Sequence, residues 1–191
     1  MRKLNNLLII VFLIIAAGAA GFFFTKSRLL GSNKSTLGAS SPSSTQKPTP
    51  NYSTTIGNFL ITDKELIKEN GKPAVYLFGS STCPHCSWEK PLVREVVDKF
   101  KNEIVYHENF DDPNKDADIF SKYSDINPGY VPFIILGGKY ARVGAGENLG
   151  ANEEESKKLE KEALTAILCK LTEGKPGDVC ATVKSKTAEI K

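Results

Sequence analysis

Cys83-Pro84-His85-Cys86 is the stretch of this chain that decides the fold. A continuous apolar run, Ala74-Val75-Tyr76-Leu77-Phe78, precedes it and is typical of a buried central strand. After it, residues 83–101 repeat their apolar side chains at helical spacing. The two cysteines therefore lie at a predicted strand-to-helix junction, where a Cys-x-x-Cys pair is typical of a redox centre.

The first cysteine of the pair is predicted to be the reactive one, because the thiolate is the nucleophile in thiol–disulfide exchange. Cys83 is expected at the N-terminus of the helix, where unpaired N–H groups and the helix dipole favour negative charge. His85, when protonated, adds a positive neighbour. Cys83, Cys86 and His85 are therefore the predicted catalytic residues, with Pro84 completing the motif. A redox-active disulfide needs no cofactor, and none is predicted.

Three other interpretations of the Cys-x-x-Cys pair were considered. A c-type haem needs a histidine directly after the second cysteine, and Ser87 stands there instead. A structural zinc site needs two more ligands, but Cys169 and Cys180 form no second pair of this spacing and His107 is the only other histidine. We therefore predict no metal. A purely structural disulfide in so short a loop would gain little from loop-closure entropy.

The amino terminus carries an apolar segment. Met1-Arg2-Lys3 precedes an uncharged run over residues 7–24, whose 18 residues are at the lower limit for crossing a bilayer. We interpret residues 1–24 as a retained membrane anchor. A cleaved signal peptide is the alternative, because Ala17-Gly18-Ala19 has the small residues that a signal peptidase requires.

The location of the remaining chain is predicted from its cysteines. Lys and Arg residues flank the apolar run on both sides, so the positive-inside rule does not decide the orientation. Four cysteines in two plausible pairs favour the extracytoplasmic side, because disulfides persist outside the cytosol. The expectation is a single-pass, membrane-anchored protein, or a secreted one if the segment is cleaved.

Residues 25–54 are rich in Ser, Thr, Pro and Gly and contain no acidic residue, which is typical of a flexible linker. Six of the 25 Lys and Arg residues lie in the first 50 positions, so the remainder is slightly acidic. That remainder has no basic patch with interleaved aromatic residues, and we predict no nucleic-acid binding. Residues 55–191 are long enough for one domain with its own core.

The pattern over residues 55–191 predicts alternating strands and helices. A strand is expected over residues 55–61, followed by a short helix that begins at Thr62 or Asp63 and ends at Asn70-Gly71. Further strands are predicted over 74–79, 103–110, 132–136 and 139–143, and further helices over 83–101, 112–123 and 153–171. This order indicates the α/β class, with a central mixed sheet of four to five strands flanked by helices.

This order of elements, with the cysteine pair directly after the central strand, resembles the thioredoxin fold. Val131-Pro132 stands just before the first strand of the predicted hairpin, where that superfamily has a cis-proline facing the active disulfide. The Pro-His dipeptide between the cysteines is that of the DsbA-like thiol–disulfide oxidoreductases. The resemblance covers roughly residues 55–171 and rests on two short motifs and the element order.

The resemblance implies roles for the motif residues. Cys83 resembles the exposed nucleophile and Cys86 the buried resolving thiol. Val131 would offer backbone groups to an extended substrate peptide, with Pro132 beside the disulfide. The implied activity is oxidation of cysteines in secreted proteins. The alternatives are a disulfide reductase or isomerase that uses the same residues, and a non-enzymatic metal-binding module.

The resemblance also implies partners. These are cysteine-containing protein substrates and a quinone-linked membrane reoxidase of the DsbB or vitamin-K-epoxide-reductase type. Two departures from the DsbA pattern are visible. Only 49 positions separate Cys83 from Pro132, which leaves no room for the helical insertion of DsbA. Leu77 stands where the family often has a buried acid that assists proton transfer at the resolving thiol, and Glu89 or a water is the candidate substitute.

The second cysteine pair is predicted to be structural. Cys169 ends the last predicted helix, and Cys180 follows a turn-rich loop containing Gly174, Pro176 and Gly177. A disulfide across this loop would stabilise the domain by about 3 kcal/mol in the loop-entropy model. A second redox pair and two free thiols are the alternatives.

Overall fold

The computed structural model describes residues 51–191. The predicted membrane anchor and all but the last four residues of the predicted linker lie outside the described residues. Within residues 51–191, the helices are too short or too polar for any of them to cross a bilayer. Tyr52 already contacts the domain, because its hydroxyl donates to the Asp125 carboxylate at 2.6 Å.

All strands of the described chain lie between residues 60 and 143, and three helices follow them. In order, the elements are a 3₁₀ turn at Ile56–Asn58, β1 (Leu60–Ile61), β2 (Lys68–Glu69), β3 (Lys72–Gly79), α1 (Pro84–Lys99), β4 (Val105–Phe110), α2 (Ala117–Ser121), β5 (Phe133–Leu136), β6 (Tyr140–Val143), α3 (Glu153–Leu171), α4 (Gly177–Ala181) and α5 (Lys184–Glu189). The protein thus has an α/β architecture with a sheet and flanking helices.

β3 is the centre of the sheet. It pairs in parallel with β4 and antiparallel with β5, so that Leu77 lies opposite Glu108 on one side and Ile134 on the other. β6 continues the sheet beyond β5, and β1 pairs with β6. β2 pairs with the first residues of β3.

The side chains of β3 are buried on both faces of the sheet. Val75 and Leu77 pack into a core with α1 and α3, while Tyr76 and Phe78 pack into a second core on the α2 side. Successive residues of a strand point to opposite faces, so a strand covered on both sides reads as a continuous apolar run. This burial fixes the end of β3, and the first cysteine follows four residues later.

The short helix expected before Asn70-Gly71 is wrong. Asn70 and Gly71 have φ values of 51° and 79° and form the two-residue turn of a hairpin between β2 and β3. Asn-Gly between strands favours this turn, because both positions need positive φ. Thr62, which was expected to cap the helix, instead donates its hydroxyl to the carbonyl of Gly138.

Two other expected elements are shorter than predicted. In the segment 55–61 only β1 is a strand, since Gly57 and Asn58 turn the chain at φ values of 65° and 59°. The helix expected over 112–123 forms only as α2, because Asp116 has a left-handed φ of 54° that no right-handed helix can contain. With β1 and β2 as two-residue strands, the described sheet has six strands rather than four or five.

The carboxyl-terminal segment is held to α3 by a disulfide. Cys169 and Cys180 are bonded, with their Cα atoms 5.6 Å apart. Beyond the disulfide, Val183 and Ile190 are buried in the core on the α3 side. The helices α4 and α5 had not been predicted from the sequence, and they extend this core beyond Leu171.

Candidate active site

Cys83 is the N-cap residue of α1. Its Sγ accepts a hydrogen bond from the backbone N–H of Cys86 at 3.2 Å, and Pro84 occupies the first helical position. Proline is favoured there because its missing N–H would have no helical partner. The helix therefore begins at the motif itself and places the Cys83 sulfur at its positive end.

The two cysteines differ in exposure. Both are free thiols, so the structure represents the dithiol form. Cys83 is half-buried, whereas Cys86 is fully buried one turn into α1. A partner molecule can therefore reach Cys83 before it reaches Cys86.

Burial raises the pKa of the Cys86 thiol to about 11, and the hydrogen bond and negative charge of Cys83 act in the same direction. A backbone hydrogen bond involving Ser80 opposes the shift. Cys86 is thus a protonated thiol at neutral pH, and as a thiol it is not a nucleophile.

Val131 and Pro132 lie directly beside the first cysteine. The Sγ of Cys83 lies 3.7 Å from the carbonyl oxygen of Val131, and the peptide bond between Val131 and Pro132 is cis. Pro132 is buried and Val131 is half-buried. The structure thus brings both predicted substrate-binding residues next to the predicted nucleophile, although they lie far from it in sequence.

Asn127 holds the loop that leads to Val131. Its side-chain oxygen accepts from the N–H groups of Gly129 and Tyr130, at 3.0 and 2.7 Å, and its amide nitrogen donates to the Tyr130 carbonyl at 2.9 Å. Asn127 is itself buried. The Tyr130 side chain remains 66% exposed next to Val131, a large aromatic surface beside the candidate active site.

Asp111 holds the loop between β3 and α1. Its carboxylate accepts from the N–H of Ser81 at 2.9 Å and from the hydroxyl of Ser80 at 3.1 Å. These hydrogen bonds to Ser81 and Ser80 lower the pKa of Asp111. The position of the cysteine loop is therefore linked to the end of β4.

His85 contacts a residue that the sequence did not point to. Its Nδ1 lies 2.5 Å from the Glu147 carboxylate, in the loop between β6 and α3. The His85 side chain is 64% exposed. Because 62 residues separate the two, no local pattern could have predicted this pair.

A buried ionic cluster lies beneath α1. The Arg142 guanidinium donates two hydrogen bonds to Glu160, at 2.6 and 2.7 Å, and one to Glu89 at 3.1 Å. Glu89 also accepts from the Gly146 N–H at 3.0 Å. Both glutamates are fully buried. The Arg142 guanidinium thus donates hydrogen bonds to two carboxyl groups.

Burial raises the pKa of Glu89 well above its ordinary value, and the neighbouring Glu160 adds to the shift, while Arg142 opposes it. Burial thus favours the protonated form of Glu89 in the folded protein. Glu89 follows Cys86 by three residues on α1, and its carboxyl hydrogen bonds within the described part go to Arg142 and Gly146. Leu77 is fully buried, so the β3 position six residues before Cys83 holds an apolar side chain and no acid.

Comparison of the chain with protein-family models and with curated proteins finds no match. Among residues 51–191, no group of three or more His, Cys, Asp or Glu side chains is arranged to hold a metal ion.

Proposed function

We propose that this protein is a membrane-tethered thiol–disulfide oxidoreductase that oxidises cysteines of extracytoplasmic proteins through a Cys83–Cys86 disulfide. One observation carries the proposal. A half-buried cysteine caps a helix, with its sulfur 3.7 Å from a backbone carbonyl that precedes a cis-proline, and a second, buried thiol lies one turn behind it.

The fold is proposed to be thioredoxin-like. A central strand, β3, leads into the cysteine-bearing helix and has a parallel neighbour, β4, and an antiparallel neighbour, β5. Pro132 directly precedes β5, so the pairing of β5 with β3 brings the proline to the end of β3 that precedes the motif. Helices cover both faces of this sheet. These features support the resemblance seen in the sequence.

The proposed oxidation proceeds by two exchanges. A substrate thiolate attacks Sγ of Cys83 in the Cys83–Cys86 disulfide, forming a mixed disulfide and releasing Cys86, which takes up a proton. A second substrate thiolate then attacks the substrate sulfur of the mixed disulfide and releases Cys83. The substrate loses two electrons and becomes a disulfide, and the enzyme gains them as a dithiol.

The exposure of the two cysteines supports these roles. The incoming thiolate can reach Cys83 but not the fully buried Cys86. The pKa of about 11 keeps most of the released Cys86 as a thiol, so it attacks the mixed disulfide only slowly at neutral pH. The mixed disulfide then persists until the second substrate thiol arrives.

The same residues can run in reverse as a reductase or isomerase. The thiolate of Cys83 then attacks a substrate disulfide, and Cys86 resolves the mixed disulfide. Return of the oxidase to its disulfide form requires an electron acceptor, for which we propose a quinone-linked membrane protein. The membrane anchor proposed for residues 1–24 would keep the oxidase close to this membrane protein.

The reduction potential of the Cys83–Cys86 pair tests the proposal. The full-length protein is equilibrated with glutathione buffers, and peptide mapping after alkylation separates this pair from Cys169 and Cys180. A potential near about −120 mV is expected for an oxidase, whereas one near about −270 mV would assign a reductase instead. A pair that does not cycle at all, with the Cys83→Ser variant as the control, would refute both directions.

A further inference from the structure

A cavity of about 520 Å³ opens beside Val131, the residue whose carbonyl oxygen faces Cys83. It lies between the end of β3, the end of β4, helix α2 and the loop that carries Gly129 and Val131. Phe78, Phe120, Pro113 and Val131 give it a largely apolar lining. Its size is within the range of about 300–1,000 Å³ that small-molecule sites span.

One buried polar side chain lines this cavity. Asn109, near the end of β4, is only 3% exposed, and its Oδ1 has no hydrogen-bond partner among residues 51–191. Buried amide oxygens in folded proteins are nearly always hydrogen-bonded, because an unpaired one loses its solvation without compensation. A residue that lines the cavity thus carries an acceptor that lacks a donor.

The orientation of Asn109 follows from its neighbours. Its Nδ2 donates to Asp116 Oδ2 at 2.9 Å, and an ionised carboxylate can only accept, so the amide nitrogen must face Asp116. The Nδ1 of His107 also lies 3.1 Å from that oxygen, and the His107 ring stacks on Tyr76 with centroids 4.6 Å apart. This arrangement leaves the Oδ1 of Asn109, which is almost completely covered, as the amide atom without a partner among the described residues.

Val131 connects the cavity to the proposed chemistry. Its carbonyl oxygen lies 3.7 Å from the Cys83 sulfur, and the same residue lines the cavity. A peptide that presents a cysteine to Cys83 in an extended conformation advances about 3.3 Å per residue. A side chain close to that cysteine in sequence is therefore within reach of the cavity.

We propose that this cavity binds an aromatic side chain of the substrate protein that flanks the reactive cysteine and carries a hydrogen-bond donor, namely tryptophan or tyrosine. This inference rests on the proposed function. Both side chains combine an apolar ring, which fits the apolar lining, with a single N–H or O–H at the edge. Asn109 Oδ1, which is covered in the free protein, turns towards the cavity to accept that hydrogen bond.

The expected consequence is selection among aromatic side chains. Phenylalanine fills the same space but leaves Asn109 unpaired, and a site with a buried polar group disfavours a ligand that cannot pair it. A single neutral hydrogen bond makes a difference of about 3- to 10-fold in rate. Tryptophan and tyrosine are thus favoured over isosteres that lack the donor.

The experiment uses dithiol peptides and the oxidised full-length protein. Tryptophan, or benzothienylalanine in which sulfur replaces the indole N–H, is placed at each of the two positions on either side of the reactive cysteine, and single-turnover oxidation rates are measured. A preference for tryptophan of about 3- to 10-fold is expected at one of these positions. Equal rates at all four positions would overturn the proposal.

The Asn109→Leu variant provides the second arm. Leucine has a similar volume and no acceptor, so the ratio between the two peptides is expected to fall to about one. Each rate is divided by the same variant's rate with dithiothreitol, which has no side chain to fill the cavity. A ratio that stays at the wild-type value would assign the selectivity to another residue and overturn the proposal.

Failure of this inference can be distinguished from failure of the proposed function. If wild-type protein oxidises dithiothreitol but shows no preference between the peptides, the redox function stands and the cavity assignment is wrong. If it oxidises neither, the proposed function is wrong. Should Asn109→Leu not fold, as judged by circular dichroism, the comparison of peptides on wild-type protein still decides the question.

Discussion

The Nδ1 of His85 lies 2.5 Å from the carboxylate of Glu147. This contact places a negative charge next to the one histidine of the Cys-x-x-Cys motif. A protonated His85 would stabilise the Cys83 thiolate, whereas Glu147 offsets that charge and holds the ring in place. The loop between β6 and α3 therefore influences the redox pair, although no residue of that loop belongs to the motif.

Replacement of this carboxylate is predicted to make the protein a stronger oxidant. In Glu147→Gln the hydrogen bond to His85 can persist while the negative charge is lost. At a pH where His85 is protonated in both proteins, this loss stabilises the thiolate and with it the dithiol form. Since exposed ion pairs contribute about 0.2–1 kcal/mol, the reduction potential should rise by roughly 5–20 mV. Equilibration with glutathione measures it. Glu154→Gln, at an 87% exposed position outside the motif, is the control, and a lowered potential in Glu147→Gln would contradict the prediction.

The raised pKa of Cys86, about 11, predicts how the resolving step depends on pH. Burial is its largest cause, and burial remains when Cys83 is engaged in a mixed disulfide. Attack by Cys86 requires its thiolate, whose fraction increases about tenfold per pH unit below the pKa. Release of a chromogenic thiol from a Cys83 mixed disulfide should therefore accelerate about tenfold per unit between pH 7 and 9. A rate independent of pH would instead indicate a proton acceptor within the site.

The raised pKa of Glu89 predicts a pH dependence of stability. Its pKa is raised in the folded state, so the folded protein holds a proton that the unfolded chain loses above its ordinary pKa of about 4.3. This contribution to stability is fully present below that ordinary value and is lost as pH rises towards the folded-state pKa. Glu89→Gln cannot titrate, so its free energy of unfolding should fall less between pH 5 and 8 than that of the wild type. Urea denaturation at both pH values measures the difference, and parallel decreases would refute the assignment.

Loss of the second disulfide is predicted to affect stability rather than chemistry. Cys169 and Cys180 are 11 positions apart and tie α4 to the end of α3. The double variant Cys169→Ala/Cys180→Ala should lower the free energy of unfolding by about 3 kcal/mol in the loop-entropy model. Its rate of dithiothreitol oxidation should match that of the wild type. A loss of redox activity in a variant that remains folded would assign this pair to electron transfer instead.

The elements with strong local patterns could be predicted from the sequence. The helix α3 has the predicted bounds, Glu153–Leu171, because a triplet of glutamates marks its first turn and apolar residues recur along it. The strand β3 could be predicted because both of its faces are apolar. The helix expected before Asn70-Gly71 is wrong because Asn-Gly between two strands specifies a hairpin turn, and a possible cap at Thr62 is a weaker signal than this turn.

The partners of the motif residues could not be predicted from the sequence. The His85–Glu147 contact and the Glu89–Arg142–Glu160 cluster join residues 18 to 62 positions apart. Asn109 is notable only for its burial. Neither distant contacts nor burial leave a periodic signal in the sequence. From the sequence, Glu89 could be identified only as a residue three positions after Cys86 on the same predicted helix, without its partners. The raised pKa of its carboxyl follows from burial and from the neighbouring Glu160, which lies on a different helix.

The packing of α3 against β3 constrains when the active site can form during synthesis. Val75 and Leu77 are buried by α1 and by residues of α3 such as Leu164 and Ile167. A chain still being translated can hold β3 and α1 outside the ribosome while the helix that completes their core has not yet been made. Until residue 171 has emerged, the sheet that positions Cys83 is missing one of its covering helices, and its cysteines belong to an incompletely folded chain.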